Sequence, residues 1–311
     1  MCGKSYFGGG AAGSTLNNCS VSGNAGYNGG GACWSTLNNC SVSTNSGGLG
    51  GGACWTGLNS CSVWGNWSFD SGGGAFSSTL NNCTLSANVA TNSGGGASGC
   101  NLTNCIAYYN TASSGPNHSD STLAYSCTTP LPPGPGNITN EPLFADLPNG
   151  NLRLQTNSPC LDSGGTAYAP GTTDLDGRPR IVGPRVDIGA YESQAEFFSW
   201  LQSYNLPTDG PADFADPDGD GLNNWQEYRC GTDPTNALSV LRLLGPSPLG
   251  SNVSVSWQSV AGITYVLEGS TNLPLFTPLA TNIVGQRGTT TFMDTNAPSV
   301  PRLYRVGVSS P

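Results

Sequence analysis

Charge is scarce in this chain. Of its 311 residues only 9% are Asp, Glu, Lys or Arg, one is histidine, and no Lys or Arg falls between Lys4 and Arg153. Each absence excludes something. Nucleic-acid binding needs a basic footprint, whereas the net charge is −9, with almost all of the imbalance after residue 140. Polysaccharide lyases need a base and cations beside a uronate carboxylate, and residues 5–152 hold no Lys or Arg. Glycoside hydrolysis needs paired carboxylates on one groove, and residues 5–140 offer only Asp70 and Asp120. The lone His118 lies in a loop-like run, Gly-Pro-Asn-His-Ser-Asp. No apolar stretch reaches the roughly 18 residues of a transmembrane segment, so none is expected. Cys-x-x-Cys metal spacing is absent despite 12 cysteines.

What is present is a repeat. Glycine triplets begin at Gly8, Gly29, Gly50, Gly72 and Gly94, leucines recur at Leu16, Leu37, Leu58, Leu80 and Leu102, and cysteines at Cys19, Cys40, Cys61, Cys83 and Cys105. A period this short, without a helix-forming stretch, predicts a solenoid of strands. Gly and Asn disfavour helix, and Cys19-Ser20-Val21-Ser22 alternates apolar and hydroxyl side chains, the period-2 pattern of a half-buried strand. Three strands per turn then predict a parallel β-helix of about 21–22 residues per coil, rising about 4.8 Å each. Asn17-Asn18 and Asn38-Asn39 suit a bend. Asn24, Asn45, Asn66, Asn88 and Asn110 form a second column at another corner.

With Cys127, six cysteines are expected at one repeat position, as a ladder of small buried hydrophobes. Reduced stacking and interstrand disulfides both fit the spacing. Trp34, Trp55, Trp64 and Trp67 are candidates for stacking on sugar rings, with core or rim packing as the alternative. Trp34 and Trp55 share a repeat position. The hydroxyl series Ser20, Ser41, Ser62 and Thr84 is expected to end at Ala107, too short for an ice-binding array.

Over about residues 8–127 these units resemble the repeats of bacterial right-handed β-helix surface proteins, including the polymorphic outer-membrane type. The resemblance implies a right-handed coil. It leaves activity open, because this fold hosts lyases, hydrolases, adhesins and spacers. Beyond a Pro-rich break, Glu141-Pro-Leu-Phe-Ala-Asp, Ser158-Pro-Cys-Leu-Asp162, Asp174-Leu-Asp-Gly-Arg178 and Val186-Asp-Ile-Gly-Ala-Tyr-Glu192 are similar to the closing module called choice-of-anchor Q. Its charges, Asp174 to Asp187, are expected to seal the last coil. A catalytic or calcium role for Asp174 and Asp176 is the sharper reading.

Asp216-Pro-Asp218-Gly-Asp220-Gly221-Leu222-Asn-Asn224-Trp-Gln-Glu227 fits an EF-hand calcium loop. Alternate side chains at Asp216, Asp218 and Asp220 converge on one point and Gly221 permits the sharp turn. The Leu222 carbonyl, Asn224 and the two oxygens of Glu227 complete the shell. Seven carboxylates between residues 209 and 233 face one Arg229, so a cation is expected, and calcium is the cofactor predicted. A helix should precede the loop from Ala195 and a short one should follow around 225–228. The continuation Cys-Gly-Thr-Asp233-Pro-Thr-Asn resembles dockerin-like and thrombospondin-type-3-like loops.

From Leu241 short alternating strands separated by Gly, Pro and Asn predict a small antiparallel sandwich. Val-Ser-Trp257, Thr264-Tyr-Val-Leu-Glu268 and Tyr304-Arg-Val306 are similar to fibronectin type III-like modules of exported bacterial proteins, and Trp257 and Tyr304 should be core.

The expected plan is mainly β: a solenoid with its closing region over 1–193, a calcium-binding hinge over 194–237 and a sandwich over 238–311. The chain is expected to be the C-terminal part of a longer exported, secreted or cell-surface protein. It is read as non-enzymatic, a stalk or adhesin with polysaccharide or surface glycans as partners. The rival reading is a polysaccharide-active enzyme with catalytic coils upstream, or one using Asp70 and Asp120. The sequence sets no oligomeric state.

Overall fold

Single residues in the left-handed backbone region set the shape of each coil. In one turn these are Gly29 (φ 65°), Trp34 (49°), Asn39 (50°) and Thr44 (53°). Between them run four short strands, Ala32–Cys33, Thr36–Asn38, Ser41–Ser43 and Ser46–Leu49. A coil therefore has four strands, not the three expected. The additional corner carries Gly13, Trp34, Trp55, Ser77, Gly99 and Asp120, and nothing in the aromatic side chains in the middle of that column signals a left-handed backbone. The computed structural model describes residues 5–169, 171–208, 210–250, 252–295 and 302–309. Asp209 and residues 1–4 lie outside these.

Stacked coils build one five-stranded and three six-stranded parallel sheets. Leucines pair in register through every turn, Leu16 with Leu37, Leu37 with Leu58, and so on to Leu102 with Leu123. They bury a core with Cys40, Val42, Cys61, Val63 and their equivalents. The glycine triplets leave no room for side chains: a Cβ on Gly31 would lie 2.6 Å from the Gly52 carbonyl oxygen.

Three of the four corners carry a buried side-chain ladder, supplied by the residue after the left-handed one. Each member accepts the backbone N–H of its equivalent one coil earlier and gives its own proton to a carbonyl. Asn24 N–H donates to Asn45 Oδ1 at 2.9 Å, and Asn45 Nδ2 donates to the Val21 carbonyl at 2.8 Å. Thr56 N–H donates to Ser78 Oγ at 3.1 Å. Cys40 N–H donates to Cys61 Sγ at 3.4 Å, and that thiol donates to the Asn59 carbonyl at 3.2 Å. The cysteine ladder ends at Cys105, not at Cys127. Cys105 N–H donates to Ser126 Oγ at 3.0 Å, while Cys127 pairs with Ile106. Ile106, rather than Ala107, follows Thr84 in the hydroxyl series. The eleven described cysteines are free thiols.

The segment after the solenoid lies along its flank instead of sealing its end. Phe144, Leu152, Cys160 and Ile188 bury Ile106 and Cys127 in a second core, against which Trp64 packs. The left-handed asparagines grip the same segment. Asn39 Nδ2 donates to Thr173 Oγ1 (3.2 Å), Asn82 Oδ1 accepts from Arg180 Nη2 (3.0 Å), and Asn104 Oδ1 accepts from Gly165 N–H (2.7 Å). Outward-facing Ile106 and Cys127, where earlier coils carry Ser41 and Ser62, are the physical reason.

The chain divides into two compact units, Met1–Glu196 and Phe197–Pro311. Helix α1 (Ala195–Ser203) leads into the second, and α2 (Asn224–Cys230) follows the acidic loop. Two three-stranded antiparallel sheets then pack face to face. One holds Leu243–Leu249, Asn252–Ser259 and Gly288–Asp294, the other Leu275–Val284, Thr264–Asn272 and Leu303–Val308. Val255, Trp257, Tyr265 and Leu267 form their buried core, with Tyr304 partly buried against it.

Candidate metal centre

Two short helices hold the acidic loop between them. Phe197 of α1 is fully buried, its ring 5.3 Å from Trp225 and 5.2 Å from Tyr228 of α2. Asn223 caps α2: its side chain accepts from Gln226 N–H, and Gln226 returns the bond to the Asn223 N–H. That reciprocal box fixes where the helix starts, and so where Glu227 projects.

Within the loop, ligand oxygens of Asp216, Asp218 and Asp220 all lie within 4.8 Å of one another. Asp216 is held by Gly219 N–H (2.8 Å) and Gly221 N–H (3.1 Å), and Asp220 Oδ1 accepts from Leu222 N–H (2.8 Å). Gly219 and Gly221 take φ of 75° and 98°, so the turn demands glycine. Four buried oxygens here have no hydrogen-bond donor: Asp218 Oδ2, Asp220 Oδ2, Asn224 Oδ1 and Glu227 Oε2. Burial pushes the Glu227 carboxyl up to about 7, the Asp218 charge adding to it, and burial also raises Asp218. Orphaned acceptors drawn together against their own repulsion are the pattern a hard cation relieves. Glu227 stands outside the 4.8 Å group, and Asn224 commits its Nδ2 to the Ala212 carbonyl. Leu222 is half-buried.

The four tryptophans do not form one platform. Trp34 and Trp55 stack at one corner, with rings 5.4 Å apart and 15° from parallel, 52% and 39% exposed. Trp67 is on another side, its ring 4.0 Å from that of Phe69. Trp64 is half-buried against the flanking segment. Phe69 and Tyr27, the most exposed aromatics among the described residues of the solenoid, were not among the candidates. Their signal was an aromatic residue in the one strand of each coil that otherwise carries mostly small or polar side chains beside Trp67.

The acid candidates are dispersed. Asp70 accepts from Asn92 Nδ2 (2.7 Å) within one sheet, while Asp120 occupies a corner between two others and bonds Ser119 Oγ. His118 pairs with Ala97 in a strand. Both oxygens of buried Asp174 are taken by backbone, accepting N–H from Asp176, Arg178 and Glu192, and Asp176 pairs with Arg153. These two carboxylates serve as loop staples. Burial lifts Asp174 to about 6.

No family model matches the chain, and no curated protein does either. Function must be argued from the residues.

Proposed function

We propose that this chain is a non-enzymatic, exported surface protein whose solenoid is a rigid stalk, stabilised by calcium and contacting carbohydrate through aromatic side chains. The observation that carries the reading is the distribution of reactive groups. Asp70, His118 and Asp120 sit on separate strands and corners, while Trp34, Trp55, Trp67 and Phe69 present exposed rings. Such a surface suits stacking on sugar rings, and Asp70, His118 and Asp120 make no convergent acid–base pair with one another.

Calcium would be held by Asp216, Asp218, Asp220, the Leu222 carbonyl, Asn224 and Glu227. The ion would supply fixed positive charge to a loop that otherwise gathers only acceptors. Its role is structural, locking α1 and α2 around the loop.

Two measurements test the proposal. Calcium should raise the melting temperature of the full chain and a chelator should lower it, the shift disappearing in Asp220→Ala. At calcium about 100 times its dissociation constant the stabilisation should be about 2.7 kcal/mol. Incubation with a polysaccharide panel should release no reducing sugar or unsaturated uronate. Turnover in that assay would overturn the stalk in favour of the enzyme.

A further inference from the structure

Beside the last complete coil lies a cleft of about 420 Å³ lined by Tyr109, Glu141, Leu143, Phe144, Asp146 and Gln155, among others. That size is within the roughly 300–1,000 Å³ of small-molecule sites. One wall is the strand Phe144–Asp146, which pairs antiparallel with Asn151–Leu154 behind it. Tyr109 occupies the corner where earlier coils carry Gly23, Thr44, Gly65 and Ala87. A bulky ring therefore stands where the repeat otherwise keeps the side chain small or absent. Its φ is 59°, and that of Leu143 is 54°, so two large residues hold left-handed backbones at one cleft. Such positions concentrate at functional sites.

Tyr109 is 36% exposed, and its ring is braced edgewise by Tyr108, 4.9 Å away, and at a tilt by Phe144, 6.2 Å away. Its hydroxyl donates to Glu141 Oε1. Asp146 Oδ2 accepts from Asn149 Nδ2 (2.7 Å), and Gln155 Nε2 donates to the Phe144 carbonyl (2.9 Å). Glu141 and Asp146, both lining the cleft, each keep one carboxylate oxygen outside these bonds, and Gln155 keeps its amide oxygen and one N–H. No Lys, Arg or His lines it, and nearby Arg153 is bonded to Asp176 and Asn151.

We propose that this cleft binds a protonated amino sugar, the ring of Tyr109 facing the sugar's C–H surface and Glu141 and Asp146 receiving its ammonium and hydroxyl groups. The proposal deepens the carbohydrate contact argued above and places it on residues other than the four tryptophans. An aromatic floor favours a ring with an apolar face and adds cation–π attraction. Two carboxylates without a cation favour charge-assisted donors and repel uronates.

The test is titration calorimetry of the full chain with a β-1,4 glucosamine tetramer, against the N-acetylated tetramer and tri-lysine. The glucosamine tetramer should bind, weaken at about 0.5 M salt, and lose about tenfold or more in Tyr109→Ala and in Asp146→Asn. Tyr109→Phe, which keeps the ring, should retain most of the affinity, and thermal melts check that each variant is folded. Unchanged binding in folded Tyr109→Ala and Asp146→Asn overturns the cleft. So does equal affinity for the acetylated tetramer, and tighter binding of tri-lysine reassigns it to a basic peptide. If only neutral glycans bind, and Trp55→Ala abolishes that, the cleft falls while carbohydrate contact stands. Failure of every glycan overturns both.

Discussion

The side chain of Cys61 does the work of a hydroxyl. Its thiol accepts one backbone N–H and donates to a carbonyl, and burial pushes its pKa up, keeping the proton it donates. The ladder accordingly passes from Cys105 to Ser126 without a break. Cys61→Ser should therefore shift chemical-denaturation stability by less than about 1 kcal/mol, whereas Cys61→Ala strands a buried N–H and should cost about 1–3 kcal/mol. Asp174 makes a different residue-scale prediction. Burial outweighs three backbone donors and lifts its folded pKa to about 6, above the ordinary 3.8 of an aspartate. The folded state thus holds the proton more tightly, so its contribution is complete below about pH 4 and is lost as pH rises through 6. Melts should show this loss, on the order of 1–3 kcal/mol, and Asp174→Asn should remove that share of it, leaving the share of Asp187, which burial also lifts to about 6. The sequence made the cysteine column visible but not its last member, because Ser126 and Cys127 are adjacent and either type satisfies the corner.

Among elements, the loop and its helices were the most legible. The spacing of aspartates and glycines dictates a turn, and the aromatics of the Ala195 segment dictate a helix. The structure gives α1 as Ala195–Ser203 and α2 as Asn224–Cys230. Phe197 explains why so short a pair is stable, since its ring joins the two helices. Phe197→Ala should cost about 3–5 kcal/mol and weaken calcium's effect on the melt, although it touches no ligand oxygen. The solenoid corners were half legible. Asn and Gly advertise left-handed backbone, so two kinds of corner were readable, whereas at the fourth the column Gly13, Trp34, Trp55, Ser77, Gly99 and Asp120 is interrupted by side chains that carry no such signal. The exposed cleft at Tyr109 was invisible for a related reason: it depends on a hairpin more than 30 residues away in sequence returning to one corner.

At the scale of the molecule, the repeat announced a parallel solenoid and the core followed in register. The path of the segment after the Pro-rich break did not follow from its sequence. Its charges suggested an end cap, yet the buried carboxylates Asp174, Asp187 and Glu192 are spent inside it on backbone amides, and its apolar residues cover one side of the coils. An added 22-residue coil discriminates between the two placements. Inserted before Asn39, it should leave the melting temperature nearly unchanged. Inserted between Cys61 and Asn82, it would move Asn39 away from Asn104 by about 4.8 Å and should lower the melting temperature by several degrees. An end cap would make the two insertions equivalent.

The grip of Asn39, Asn82 and Asn104 on Thr173, Arg180 and Gly165 therefore behaves as a measuring rod. Tandem units ordinarily drift in number by duplication and loss. Here such drift is open only on the side preceding Asn39, so any lengthening of the shaft would accumulate at one end while the clasped stretch kept a constant height.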